Sequence, residues 1–303
     1  MNTRTAERHP LGLVGAFSAV ACWGAGNIMV REAGLDSIPL ALWRLVLGVV
    51  VYAAIMLVRR RWITWPQLWA CVPPALAAGL WVIVFYEALK STTITNATMI
   101  GALMPLVLFS VAARRFGEHV SGWLVGLAAT GLAGTALVLY GSVSVPTWSA
   151  RGDALAALAL ALFSLYFVLA KEARKTVGAL EFQAAVWAVG VVVVAPVAAA
   201  TDHLFVPTAT DLAWAAALLA VPGTGHLLMN WAHRHVQLTV ASMAKLVAPP
   251  VSMVGAAIFL DEPIRVLQAI GGAIVLAVLA AVIRRDLQLL ARHGASAEGG
   301  QPA

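Results

Sequence analysis

The sequence predicts an all-α membrane protein, and composition, segment length and charge placement each point to it. Its 303 residues are 61% hydrophobic and 11% charged, with a mean hydropathy of +0.87; average soluble chains are about a quarter charged. The apolar residues form runs long enough to cross a bilayer core of about 30 Å, which takes about 20 helical residues. Basic residues stand in short clusters between these runs. This pattern argues against a soluble enzyme and against nucleic-acid binding.

We predict ten transmembrane helices, joined by short polar turns. Lys and Arg concentrate at both chain ends and after the even-numbered helices, so the positive-inside rule predicts cytoplasmic termini. The expected location is the bacterial inner membrane. The predicted helices are residues 11–30, 37–58, 67–89, 92–113, 120–140, 152–171, 180–200, 211–232, 239–260 and 264–284.

The second half of the chain repeats the first. The segment that starts ALKSTTITNATMIGALMPL at Ala88 aligns, 144 positions later, with AHRHVQLTVASMAKLVAPP from Ala232. We therefore expect one five-helix repeat in residues 1–145, a second in 146–290, and a disordered cytoplasmic tail in 291–303. Because each repeat has an odd number of helices, the two copies are expected in opposite orientations, which favours a transporter with its site near the bilayer midplane.

These segments carry a family resemblance. CWGAGN, WRLVLG and the two Ala/Ser/Thr-rich helices that lead to prolines resemble the EamA family of the drug/metabolite transporter superfamily, and within it the YddG-type amino-acid exporters. The resemblance covers nearly the whole chain. It implies a ten-helix exporter of amino acids, other metabolites or toxic compounds. Lys245 departs from the pattern of that branch.

Lys245 is the strongest single candidate for substrate binding. A charge near the bilayer centre costs about 2.5–3.5 kcal/mol even on insertion scales, so such residues usually face a cavity. Ser242 lies on the same helix face, and Thr98 lies on the equivalent face of the first repeat. We expect Lys245 to attract a substrate carboxylate; pairing with a buried carbonyl or snorkelling is the structural alternative.

Other candidate cavity residues are polar or aromatic. Asn230 and Tyr86 are repeat mates, and interhelical hydrogen bonding explains them equally well. Trp23 and Asn27 match the family motif, and His226 is a candidate proton carrier. The remaining candidates are aromatic surfaces for an apolar side chain: Trp81, Tyr166 and Trp187.

The remaining candidate functional residues are three prolines and two charged residues in the outer parts of their helices. Pro105, Pro249 and Pro250 interrupt equivalent helices and predict either a hinge or a fixed kink. Arg44 and Glu87 are predicted to pair between the second and third helices, as a gate or as a structural ion pair.

The expected function is secondary transport of amino acids and related amphipathic metabolites outward by alternating access. A passive facilitator or channel, and a multidrug exporter for other compounds, are the alternatives. Motifs of intramembrane enzymes are lacking in the sequence. We expect no organic cofactor and no metal, a small-molecule substrate, surrounding lipid, no nucleic acid, and a monomer or homodimer.

Overall fold

The computed structural model describes residues 10–142, 148–261 and 263–298. These residues form helices and turns, with no strand among them. In chain order the helices are α1 Pro10–Glu32, α2 Ser37–Val58, α3 Trp65–Ser91, α4 Ile94–Gly101, α5 Met104–Phe116, α6 Gly122–Ser142, α7 Ala150–Ala173, α8 Ala179–Ala200, α9 Ala209–Ala232, α10 Leu238–Ala244, α11 Ala248–Phe259 and α12 Val266–Glu298.

Local sequence explains where several helices begin. The side chains of Thr93, Ser149 and Thr208 each accept a hydrogen bond from a backbone N–H in the first turn of α4, α7 and α9. Such caps satisfy donors that have no partner inside the helix. At the end of α5, Gly117 adopts a left-handed conformation with φ 66°. Glycine reaches this region without steric cost, so it ends the helix and turns the chain.

Within the described residues, six helices are long and apolar enough to cross a membrane, and they form most of the bundle. They are α1, α2, α3, α7, α8 and α9. Within the bundle α3 packs against α7 and α8, α1 packs against α9, and α2 packs against α8 and α9. Their buried Ala, Val, Leu and aromatic side chains form one continuous core. Helices α6 and α12 pack together beside this core.

Two predicted continuous helices, 92–113 and 239–260, are each divided in two. The first ends at Gly101 and resumes at Met104; the second ends at Ala244, passes through a 3₁₀ turn over Lys245–Val247, and resumes at Ala248. Pro105 therefore stands in the first turn of α5, where its missing N–H has no intrahelical partner to lose. Pro249 and Pro250 follow the first residue of α11. The chain breaks before the prolines, and their role as hinges stays a prediction.

The sequence predicts a disordered tail from residue 291, and the structure places residues 291–298 in helix α12. Helix α12 continues to Glu298, and residues 291–298 contain three alanines, which favour helix. Residues 299–303, and the predicted boundary between the repeats at 145, lie outside the described residues.

Equivalent contacts recur in the two halves of the chain. Arg31, in the last turn of α1, donates to the carbonyl of Thr92 at 2.6 Å. Lys171, in the last turn of α7, donates to the carbonyl of Val236 at 2.9 Å. Thr92 and Val236 are 144 positions apart and follow α3 and α9. A cation at the end of each repeat's first helix thus binds the chain that follows its third helix.

The contact between α6 and α12 depends on small residues. A Cβ atom on Gly134 would lie 2.9 Å from the carbonyl oxygen of Gly271 and 3.0 Å from Ile274, closer than real contacts allow. We therefore expect Gly134→Ala to lower the free energy of unfolding by about 1–3 kcal/mol, the usual cost of overpacking. Gly126→Ala is the matched control on the same helix, because a Cβ there meets nothing within 4 Å. Thermal unfolding in detergent measures both; equal stability of the two variants would contradict the close packing.

Candidate functional site

A central cavity lies where the broken helices meet α1, α2, α3 and α9. It contains about 520 Å³ of space between atoms, its open mouth included. Its lining is mostly apolar and aromatic with a few polar groups. The lining residues are Trp23, Gly26, Asn27, Val30, Arg44, Trp81, Phe85, Tyr86, Ala97, Thr98, Gly101, Pro222, His226, Lys245 and Ala248.

Lys245 lies at the break between α10 and α11 and is partly exposed to this cavity. Its ammonium lies 4.8 Å from the ring centre of Trp23 and 4.6 Å from that of Phe163. Among the described residues it has no carboxylate partner and no hydrogen bond. The ammonium of Lys245 thus lies over two aromatic faces. Because no described protein acceptor binds it, it is available to a ligand.

Arg44 supplies a second positive charge to the same cavity. Its side chain is buried and donates from Nη1 to the hydroxyl of Tyr86. The guanidinium carbon lies 5.0 Å from the ring centre of Trp187 and 5.8 Å from that of Tyr86. Within the described parts of the chain, its Nε is buried without an acceptor. The cavity therefore combines two cations with aromatic surface.

The polar neutral residues Asn27 and Thr98 of the cavity already have hydrogen-bond partners in the protein. Asn27 donates to Ser252 Oγ at 3.0 Å, which joins α1 to α11, so its amide oxygen is left as an acceptor. Thr98 donates to the carbonyls of Ile94 and Thr95 within α4. Both side chains line the cavity, as the sequence predicted, and their contact with a substrate stays a prediction.

A second space, the side chamber, adjoins the central cavity between α2, α3, α7 and α8. It contains about 380 Å³ and includes the predicted residues Tyr166 and Trp187. Three side chains, Arg44, Trp81 and His226, line both spaces. The predicted aromatic candidates are thus divided between two adjoining compartments.

Asn230 and Ser242 lie outside both spaces. Asn230 is buried, donates to Gln183 Oε1 at 2.6 Å and accepts from the Tyr166 hydroxyl at 3.1 Å. These bonds join α7, α8 and α9, which matches the structural alternative for this residue. Ser242 is buried and donates to the carbonyl of Thr239 within α10. The structure places neither side chain where it lines the cavity.

The predicted pairing of Arg44 with Glu87 is wrong. The carboxylate of Glu87 accepts from Ser37 at 2.9 Å and from Ser91 at 3.2 Å, and lies 3.5 Å from Arg151. Arg44 instead turns toward Tyr86 and Trp187. The two side chains point to different places: Glu87 bonds to the serines at the start of α2 and the end of α3, whereas Arg44 faces the cavity.

At one end of the bundle, an acidic side chain of the second repeat holds the start of α4. Asp153 accepts hydrogen bonds from Thr92 at 2.9 Å, from Asn96 at 3.1 and 3.2 Å, and from Trp148 at 2.8 Å. We call this cluster the α4 latch. It ties α7 of the second repeat to the broken helix of the first.

At the opposite end, an acidic side chain of the first repeat holds the start of α10. Glu118 accepts from the backbone N–H of Leu238 at 2.6 Å, and from the N–H and hydroxyl of Thr239 at 2.9 Å each. Lys171 lies 3.4 Å from the same carboxylate. We call this cluster the α10 latch. Gly117 positions it, because the left-handed turn there directs the next residue across to α10. Glu262, the repeat mate of Glu118, lies outside the described residues.

The two latches stand at opposite ends of one helix. Asp153 and Lys171 are in the first and last turns of α7, which places them about 27 Å apart at 1.5 Å per residue. This separation is close to the thickness of a bilayer core. The central cavity therefore lies between two polar contacts, each of which joins one repeat to the broken helix of the other.

His233, just after α9, is a buried histidine from which we expect a pH dependence of the stability of the fold. Its ring is buried beside Phe167, and neither nitrogen has a partner among the described residues. Burial, with the charges of Lys171 and Arg174, holds its pKa well below 6.5. An unfolded chain takes up a proton on this residue near pH 6.5, whereas the folded chain does not.

Stability should therefore fall as the pH drops below about 6.5, by up to about 1.4 kcal/mol per pH unit from this residue. Thermal unfolding between pH 8 and pH 5 measures the slope. His233→Phe should flatten it, while His119→Gln, at an exposed histidine, should leave it unchanged. An unchanged slope in His233→Phe would contradict the assignment.

Sequence reasoning missed several residues that the structure places at or near these sites. Phe163 supports Lys245 but carries no signal that distinguishes it from other apolar residues. Gln183 lines the side chamber, and its polar side chain in the apolar helix α8 was a usable signal. Asp153 and Glu118 form the latches. Glu118 was indicated by its repeat mate Glu262, 144 positions later, whereas Asp153 had only its acidic character near a helix end as a signal. Among the described residues, no group of three or more His, Cys, Asp or Glu is placed to hold a metal.

Comparison with known proteins identifies the family. The model of the EamA-like transporter family matches the chain twice, over residues 10–140 and 150–284. A search of curated proteins found no match. The crystal structure of a protein 19% identical in sequence is similar to this chain with a TM-score of 0.71, over 91% of this chain and 98% of the other; at this identity the likeness concerns the fold. Because the two family matches cover most of the sequence, the chain belongs to the EamA-like transporter family.

Proposed function

We propose that this multi-pass membrane transporter exports small amphipathic metabolites that carry a carboxylate, amino acids among them. The observation that carries the proposal is Lys245, a partly exposed ammonium at a helix break in the central cavity, with no carboxylate partner among the described residues. An unpaired charge at such depth is costly unless a ligand or water compensates it. The apolar and aromatic lining would receive the rest of the substrate.

Alternating access between the two ends of the bundle is the mechanism we propose. The α4 and α10 latches each join one repeat to the other, so opening either end requires breaking one of them. Rocking of the two repeats would expose the cavity first to one side and then to the other. The breaks before Pro105 and Pro249 are the points at which α4 and α10 would bend.

The membrane arrangement belongs to the same proposal. The chain would cross a bacterial inner membrane ten times, as two inverted five-helix repeats with cytoplasmic termini. The broken helices α4–α5 and α10–α11, together with α6 and α12, would supply the four crossings beyond the six long apolar helices. The clustering of Lys and Arg supports this orientation, which places the α10 latch at the cytoplasmic side.

Counterflow in proteoliposomes tests the function. Vesicles containing the purified protein and an excess of unlabelled amino acid are given labelled threonine, methionine, glutamate, leucine and phenylalanine. Saturable uptake that the internal substrate accelerates would support a carrier for this class. Rapid flux without saturation would instead indicate a channel. Exchange of neutral drugs alone would indicate a multidrug exporter.

A further inference from the structure

The central cavity and the side chamber have an excess of positive charge. Arg44 lines both spaces and Lys245 lines the first, while no carboxylate lines either among the residues that the structure describes. Two carboxylates, Glu87 and Asp153, lie at the end of the bundle that holds the α4 latch. They already accept hydrogen bonds from serine, threonine, asparagine and tryptophan side chains. The charges of Arg44 and Lys245 therefore have no protein counter-ion in the described chain.

Several aromatic faces that would otherwise attract a substrate ammonium are already occupied. Lys245 lies over Trp23 and Phe163, and Arg44 lies near the rings of Tyr86 and Trp187. Cation–π attraction is one way in which a site without carboxylates holds an ammonium. A ligand ammonium would compete with two protein cations for these rings and would be repelled by both.

The polar groups of the cavity are mainly donors. Arg44 Nε is buried without an acceptor among the described residues, and the ammonium of Lys245 has no acceptor there either. The neutral side-chain acceptors that line the cavity are the amide oxygen of Asn27, the hydroxyl oxygens of Tyr86 and Thr98, and one ring nitrogen of His226. They are fewer than the N–H donors of Arg44 and Lys245. Buried donors without acceptors are costly, so the complementary ligand is rich in acceptors and poor in donors.

We propose that this cavity selects organic anions, namely carboxylates without an ammonium group, over zwitterionic amino acids with the same side chain. The inference rests on the proposed function and narrows its substrate class. The carboxylate would lie between Lys245 and Arg44, and the hydrocarbon part would contact the stacked rings of Trp81 and Phe85, whose centres are 5.3 Å apart. An added ammonium would bring a third positive charge into a space that no described carboxylate lines.

Two matched ligand pairs test the proposal: phenylalanine against 3-phenylpropionate, and leucine against 4-methylpentanoate. Within each pair only the ammonium differs. Binding to the full-length purified protein is measured by quenching of tryptophan fluorescence, and transport by inhibition of counterflow. We expect the ammonium-free member of each pair to bind about tenfold more tightly or better, a difference of about 1.4 kcal/mol. Lys245→Met should reduce this ratio, and Lys245→Arg should preserve it.

Equal or tighter binding of the amino acid in both pairs would overturn the inference, as would a ratio that Lys245→Met leaves unchanged. Exchange of amino acids without exchange of the matched anions would also overturn it, while the proposed export function would survive. If all four compounds fail to bind or exchange in protein shown to be folded, both the inference and the proposed function fall.

Discussion

Replacing Lys245 with methionine should reduce saturable counterflow of carboxylate substrates at least tenfold, while the free energy of unfolding rises by about 1–3 kcal/mol. The loss follows because Lys245 provides a cation at the helix break of the cavity. The gain in stability follows because the described protein gives that charge no counter-ion, and an apolar side chain avoids its desolvation cost. Counterflow and thermal unfolding in detergent measure the two effects. Opposite changes in activity and stability are what a ligand-binding charge predicts.

Lys175→Met is the matched control for this variant. Lys175 also carries an ammonium, but it follows α7, is largely exposed, and pairs with Glu172 at 3.0 Å. An exposed pair contributes little to stability, so this variant should behave like the unmodified protein in both measurements. If Lys245→Met transports normally, or if it loses stability together with activity, Lys245 is a structural residue.

Replacing Glu118 with alanine should open the α10 end of the bundle. The variant removes three hydrogen bonds from Leu238 and Thr239, and the ion pair with Lys171. We expect a loss of about 2–4 kcal/mol in the free energy of unfolding, since the backbone N–H donors lose their acceptor and the Lys171 charge loses its carboxylate. The same loss favours conformations in which α10 has moved away from the first repeat.

The opening is measured by labelling a cysteine introduced at Val236, a buried position near this latch, after Cys22 and Cys71 have been replaced. Glu118→Ala should raise the labelling rate about tenfold or more, which corresponds to a shift of about 1.4 kcal/mol. Asp153→Ala is the matched control, because it removes the α4 latch at the other end. It should leave the labelling rate at Val236 unchanged or lower it. Equal acceleration by both variants would indicate general loosening and contradict separate latches.

Much of the helix arrangement was predictable because apolar run length is a local property. The predicted helix 37–58 coincides with α2, and 180–200 differs from α8 by one residue. The breaks within the predicted helices 92–113 and 239–260 were harder to predict from the sequence. Proline indicated an interruption in each, but whether the chain bends at the proline or ends a helix before it depends on what the freed backbone groups bind.

The candidate site was predictable where one residue was anomalous by itself. Lys245 was identified because a charge in an apolar helix is rare, and the structure places it in the cavity beside the predicted Trp23 and Trp81. Asn230 was equally anomalous, yet its bonds to Gln183 and Tyr166 place it in an interhelical network. A polar residue in an apolar helix shows that it needs a partner, and it does not show whether that partner is protein or substrate.

The helical membrane character, the repeat and the unusual charges could be recognised without a structure, because hydropathy and self-similarity are properties of the residue order alone. Which charges meet depends instead on how the helices pack. This packing separated Arg44 from Glu87, brought Glu118 across to α10, and placed Phe163 under Lys245. Ion pairs and ring contacts act over a few ångströms between residues far apart in sequence, so their partners follow from helix packing and rotation rather than from local pattern.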